Sequence, residues 1–139
     1  MRMTLTALAF LSASATLAVA APGPAQQAQL DTYATLAKAV DPAFAGFSAE
    51  RGKTLFLAKS TTGKPDTPSC TTCHTADPTK PGQTRAGKAI GPMAISMKAD
   101  RYSIPAETEK WFGRNCDSVL GRACTPLEKG DFITFMVGQ

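Results

Sequence analysis

Histidine is nearly absent from this chain. Its 139 residues contain one, His74. Two imidazoles therefore cannot meet at one site within a single copy, which excludes a bis-histidine iron centre. Long hydrophobic runs are missing too. Beyond residues 1–20, no apolar stretch approaches the roughly 20 residues that a helix needs to span a bilayer. Convincing alternating segments, internal repeats and low-complexity tracts do not occur, which argues against sandwiches, barrels and solenoids. Charge of one sign is not concentrated anywhere. The net charge is +4, with Lys and Arg scattered among Asp and Glu. Such a surface is a mixed, solvated one and gives nucleic-acid binding no support. Methionine is missing from the whole stretch between Arg101 and Cys124.

What is present begins with a leader. Arg2 gives a positive start, Leu5 to Val19 is apolar or small, and Ala18-Val19-Ala20 has the small-x-small form of a cleavage site. The expectation is a signal peptide at 1–20, cut after Ala20, and one exported, soluble domain at 21–139 with no membrane span. Loss of Arg2 would lower the charge to +3. In an oxidising compartment outside the cytoplasm, the periplasm in bacteria, disulfides persist.

The central motif is Cys70-Thr71-Thr72-Cys73-His74. It reads Cys-x-x-Cys-His, the attachment signature of c-type haem. Two thiols three positions apart can each join one vinyl group of a porphyrin, and the next histidine then becomes an axial iron ligand. One motif implies one haem c. A redox dithiol should follow a strand in a βαβ pattern, and none surrounds Cys70. A zinc site using Cys70, Cys73, Cys116 and Cys124, or His74 in place of one of them, is left open by spacing alone.

The helical pattern organises the rest. Ala25 to Val40 reads as a helix with Leu30, Tyr33, Ala37 and Val40 on one face, and Asp41-Pro42 ends it. With the connector Ala43 to Phe47 it forms an N-terminal helical extension over 25–47. Ser48 can cap a second helix running to about Lys59. Gly52 inside it costs about 1 kcal/mol against Ala, so close approach of another helix is expected there. Ser60 to Ser69 and Ala76 to Gly91 read as loops. Arg85 and Lys88 lie in the second and are candidates for haem propionate contact, or are simply solvated. Pro105 opens a third helix, on which Trp111 and Asn115 share a face. Asp117 to Ala123 closes a short loop between Cys116 and Cys124. Thr125, Pro126 and Glu128 form a capping box before a last helix with the stripe Phe132, Phe135 and Met136. The fold class is all-α.

His74 occupies one axial position, so a methionine, another side chain or nothing occupies the opposite one. Of Met93, Met97 and Met136, each is better explained as packing, and Met93 is the least improbable ligand. In small class I cytochromes c the ligating methionine generally precedes the C-terminal helix, where this chain has none.

Further runs make the chain resemble one group closely. They are Gly63 to Ser69 leading into the motif, Gly82-Gln83-Thr84-Arg85, Gly87-Lys88, Glu109-Lys110-Trp111, Gly113-Arg114-Asn115-Cys116 and Gly121 to Pro126. They are similar to the Sphaeroides haem protein group, a branch of class I cytochromes c that binds small diatomic ligands. The resemblance covers nearly all of the mature chain. It implies the class I cytochrome c fold, with helices packed around one covalently attached haem. It also implies Asn115 as the sixth iron ligand and a disulfide between Cys116 and Cys124. Pairing is also the economical outcome for two cysteines left over in an oxidising compartment, and a loop this short would restrict the unfolded chain by roughly 2.5 kcal/mol.

An amide oxygen is a hard, neutral, weak donor, so it should favour ferric over ferrous iron and leave on reduction. The open ferrous site would take O2, NO or CO, either for sensing and carriage or for turnover with further electrons. The rival expectation is simple electron transfer with a permanent sixth ligand, Met93 or Asn115. Asn115 could also be an ordinary helix C-cap. Expected partners are the diatomic gas and a redox partner, which the resemblance implies is another cytochrome c. Trp111 is expected against the haem edge, and Gly52 and Phe56 are expected to cross the stripe around Phe132.

Overall fold

The computed structural model describes residues 21–139, so the expected leader at 1–20 lies outside the described residues. Helix α1 (Pro24–Val40) starts on a proline, whose fixed φ suits the first turn. Its buried face is Gln26, Gln29, Leu30, Tyr33 and Ala37. Val40 does not belong to that face and is 79% exposed.

Helix α2 (Ala49–Leu57) begins where the Ser48 hydroxyl accepts a hydrogen bond from the Arg51 amide at 3.2 Å. It stops two residues short of Lys59. A single turn, α3 (Thr71–His74), carries the Cys-x-x-Cys-His motif. The region read from sequence as an unbroken loop folds into a small antiparallel hairpin, β1 (Gly82–Gln83) and β2 (Ala89–Ile90), with Gly82 opposite Ile90. Strands of two residues are too short to leave an alternating pattern.

Helix α4 (Pro105–Leu120) runs further than expected, because Gly121 takes the left-handed cap at φ 67° and ends it. Helix α5 (Pro126–Val137) starts with the capping box: Glu128 N donates to Thr125 Oγ1 at 3.2 Å, and Thr125 N donates to Glu128 Oε2 at 2.8 Å.

The core gathers around α5, which packs against both α1 and α2. Phe56 of α2 stacks at 6.1 Å from Phe132 and 5.9 Å from Phe135, and Phe112 of α4 lies 5.5 Å from Phe132. The crossing of α2 over α5 needs Gly52: a Cβ there would sit 2.1 Å from the Asp131 carbonyl oxygen. Beside it, the Asp131 carboxylate is buried. It accepts from Ser48 N at 2.7 Å and from Arg51 Nε and Nη2 at 2.7 and 2.8 Å, so its charge is neutralised where it is desolvated. Among the described residues no helix is long and apolar enough to cross a membrane.

Candidate haem site

The loop before Cys70 is fixed to the end of α4. Lys64 N donates to Ser118 O at 2.7 Å, Thr67 Oγ1 to the same carbonyl at 3.1 Å, and Thr62 Oγ1 to Leu120 O at 2.7 Å. Gly63 permits this contact, since a Cβ would lie 2.3 Å from Val119 O. The motif and α4 are thereby held in one register.

Within α3 the His74 amide donates to the Cys70 carbonyl at 3.1 Å, closing one helical turn. Residues three and four apart share a face of such a turn, which puts Cys70, Cys73 and His74 on one side. Both thiols are free, and Cys70 packs against the hydrophobic core. Burial pushes its thiol up to about 11. The hairpin presses on the motif through Gly82, where a Cβ would sit 2.0 Å from Cys73 O. Burial, and secondly the charge of Arg101, hold the His74 imidazole below its ordinary range, so it is neutral and keeps a lone pair for a metal. Its Nδ1 is buried and has no hydrogen-bond partner among the described residues. Arg101 gave no sequence signal. It closes its own loop by donating from Nε to Pro92 O and from Nη2 to Gly91 O, both at 2.9 Å.

Asn115 lies inside α4, so the cap role belongs to Gly121 and not to it. At 3.6 residues per turn, Asn115 falls roughly 20° from buried Thr108 and roughly 40° from buried Val119. It is nevertheless exposed. Trp111, one turn earlier, is 46% exposed, with the Arg114 guanidinium 5.3 Å from its ring centre. The next residue, Cys116, is joined to Cys124 with a Cα separation of 5.6 Å. That bridge takes two of the four thiols, so a four-cysteine zinc site does not form.

The other candidates are dispersed. Met136 is fully buried in the core, and Met97 is 56% exposed. Met93 is half-buried; its amide donates to Pro78 O at 2.8 Å, and its carbonyl accepts from Tyr102 Oη at 3.0 Å. Arg85 is ion-paired with Asp66 at the surface, and Lys88 is exposed. The donor set at α3 fits covalent haem: two free thiols and one neutral imidazole share a face, and the imidazole has an unsatisfied nitrogen.

Residues 42–136 match a family model described as a domain of unknown function, DUF1924. The chain is 51% identical over 130 residues to "Cytochrome c-type protein SHP" of Cereibacter sphaeroides, covering 94% of this chain and 98% of that one. The chain belongs to the SHP-like cytochromes c. As a cytochrome c of this kind it carries covalently bound haem c and has the class I cytochrome c fold. A solved structure of oxidised SHP, described as an oxygen binding cytochrome c, superposes with a TM-score of 0.75 over 85% of this chain and 98% of that one. Cytochrome c'' of Methylophilus methylotrophus is a more distant relative, 30% identical over 77% of this chain and 75% of that one. Its oxidised crystal structure superposes with a TM-score of 0.70 at 28% identity, over 81% of this chain and 92% of that one. In this SHP-like cytochrome, helix α1 precedes the segment matched by the family model.

Proposed function

We propose that this is a periplasmic monohaem cytochrome c that binds O2, NO or CO at reduced iron after Asn115 withdraws. Cys70 and Cys73 would supply the thioether sulfurs that hold the haem, His74 a lasting nitrogen ligand and Asn115 a labile oxygen ligand. The haem, when bound, supplies a one-electron couple and a coordination position for a small gas. The hard amide oxygen of Asn115 would hold ferric iron better than ferrous iron. The Cys116–Cys124 bridge keeps the backbone beside Asn115 fixed while its side chain moves. Trp111 lines the same side of α4 and packs against the haem edge, while Arg85 can exchange Asp66 for a propionate.

The observation that carries the reading is Asn115 itself. It sits mid-helix, exposed at the margin of a buried stripe, one residue before a disulfide, and is not needed as a cap. The relative described as oxygen binding supports it. The periplasmic assignment rests on the leader at 1–20, and an electron donor that is itself a cytochrome c would serve in that compartment.

Absorption spectra of the purified holoprotein, oxidised and reduced, with and without CO, test the proposal. A low-spin ferric form, a high-spin ferrous form and prompt CO uptake are expected. A low-spin, CO-inert ferrous form would instead establish simple electron transfer with a permanent sixth ligand. Asn115→Met should push the first behaviour towards the second, and an unchanged ferric spectrum in that variant would remove Asn115 from the ligand set.

A further inference from the structure

Helix α1 lies outside the family segment, yet it makes a part-buried polar connection to the helix that carries Asn115. Tyr33, 3% exposed, donates its hydroxyl hydrogen to Glu109 Oε1 of α4. Lys129 of α5 donates to Glu109 Oε2 at 2.7 Å and stands over the Tyr33 and Phe112 rings, at 5.6 and 5.9 Å from their centres. Gln29, 4% exposed, completes the chain by donating from Nε2 to the Tyr33 oxygen at 2.9 Å, while its own Oε1 has no partner among the described residues.

These bonds run in one direction, from Gln29 to Tyr33 to the Glu109 carboxylate, with Lys129 closing from the other side. Burial drives the Tyr33 phenol well above its ordinary range, so the hydroxyl stays a donor. Burial alone would raise the Glu109 carboxyl. The bonds from Lys129 and Tyr33 outweigh that and keep it lowered, hence charged. A charged acceptor makes these the stronger kind of hydrogen bond. Further along α1, Gln26 Nε2 donates to Ala99 O and Arg101 O, both at 2.8 Å, so the helix also grips the loop beside His74.

We infer that Tyr33 and Glu109 are positioning residues for the distal ligand: α1, through this junction between buried Tyr33 and half-exposed Glu109, fixes the rotation and depth of α4 and so sets how long Asn115 stays on the iron. The C-terminal half of α4 is held by the disulfide and by the loop at 62–67. The N-terminal half is held at Glu109, and Asn115 lies between the two anchors. This inference rests on the proposed ligation by Asn115. Releasing the Glu109 anchor lets α4 shift at its first turns, and Asn115 should then leave more often.

The test uses the full holoprotein with Tyr33→Phe, Glu109→Gln and, as a control at an exposed α1 position, Gln27→Ala. Asn115→Ala is run beside them. The readouts are the high-spin fraction of the ferric spectrum and the rate of CO binding to the ferrous form. Tyr33→Phe keeps the ring in the core while losing the bond, and should raise the ferric high-spin fraction between about twofold and tenfold, the range expected for losing an ordinary hydrogen bond to a half-exposed acceptor. Glu109→Gln should act in the same direction and Gln27→Ala should change nothing. If Asn115→Ala alters the ferric spectrum but Tyr33→Phe and Glu109→Gln do not, the positioning role is wrong and the ligand assignment survives. If Asn115→Ala leaves the ferric spectrum unchanged, the ligand assignment falls and the positioning role falls with it.

Discussion

Replacing Gly52 by alanine tests the helix crossing on which the fold depends. A Cβ at Gly52 would lie 2.1 Å from the Asp131 carbonyl oxygen, 2.6 Å from its carbon and 2.9 Å from Phe135 Cβ. An unforced carbon–oxygen contact is about 3.3 Å or more, so α2 and α5 must part by roughly 1 Å. The obstacle is backbone, which cannot rotate away as a side-chain tip would. Separation also pulls Phe56 from Phe132 and Phe135, at the centre of a closely packed core. Overpacking of this sort costs about 1–3 kcal/mol or more, and the gain in helix propensity offsets about 1 kcal/mol. Because the obstacle is backbone, the upper end applies, and a net loss of about 2 kcal/mol is expected. The assay is guanidinium denaturation of the ferric holoprotein followed by far-ultraviolet circular dichroism. Gly113→Ala is an internal comparison, because a Cβ there meets nothing within 4 Å and propensity alone should stabilise α4. Should Gly52→Ala prove as stable as the parent, or more so, the close approach of α2 to α5 would be refuted.

Two further outcomes follow from the same geometry. Replacing both Cys116 and Cys124 by serine should lower stability by roughly 2.5 kcal/mol in the same denaturation assay, since the bridge closes a short loop; an unchanged midpoint would mean the loop is already restrained without it. Hydrogen bonds from Arg122, foremost, hold the Glu128 carboxyl below the ordinary glutamate range in the folded protein. Its contribution is therefore complete above the unfolded value and is lost as pH falls through the lowered one. Glu128→Gln should thus be less stable than the parent at neutral pH and show a shallower loss on acidification; parallel pH–stability curves would count against the pair.

The elements most legible in sequence were those with local causes. The capping box at Thr125, Pro126 and Glu128 needs only residues three apart, and Gly52 revealed a helix crossing because a mid-helix glycine wants a packing reason. The Cys-x-x-Cys-His turn is equally local. What escaped depends on partners distant along the chain. Asp131 is buried by its pairing with Arg51, 80 residues away along the chain. Tyr33 and Glu109 are separated by 76 residues, so each read as an ordinary core or surface residue. The full length of α4 has a local signal after all: Gly121 is a ready left-handed cap for a helix through Leu120, although the spacing of Cys116 and Cys124 by itself suggests a loop.

The Cys116–Cys124 bridge has a consequence for handling the protein in two redox regimes. Thiol–disulfide exchange requires a thiolate to reach a sulfur atom, and these two residues are only 6% and 9% exposed. The chain therefore contains an iron couple meant to be cycled and a sulfur couple sheltered from the same reagents. Electrons delivered at the haem can come and go many times while the covalent frame beside Asn115 stays closed.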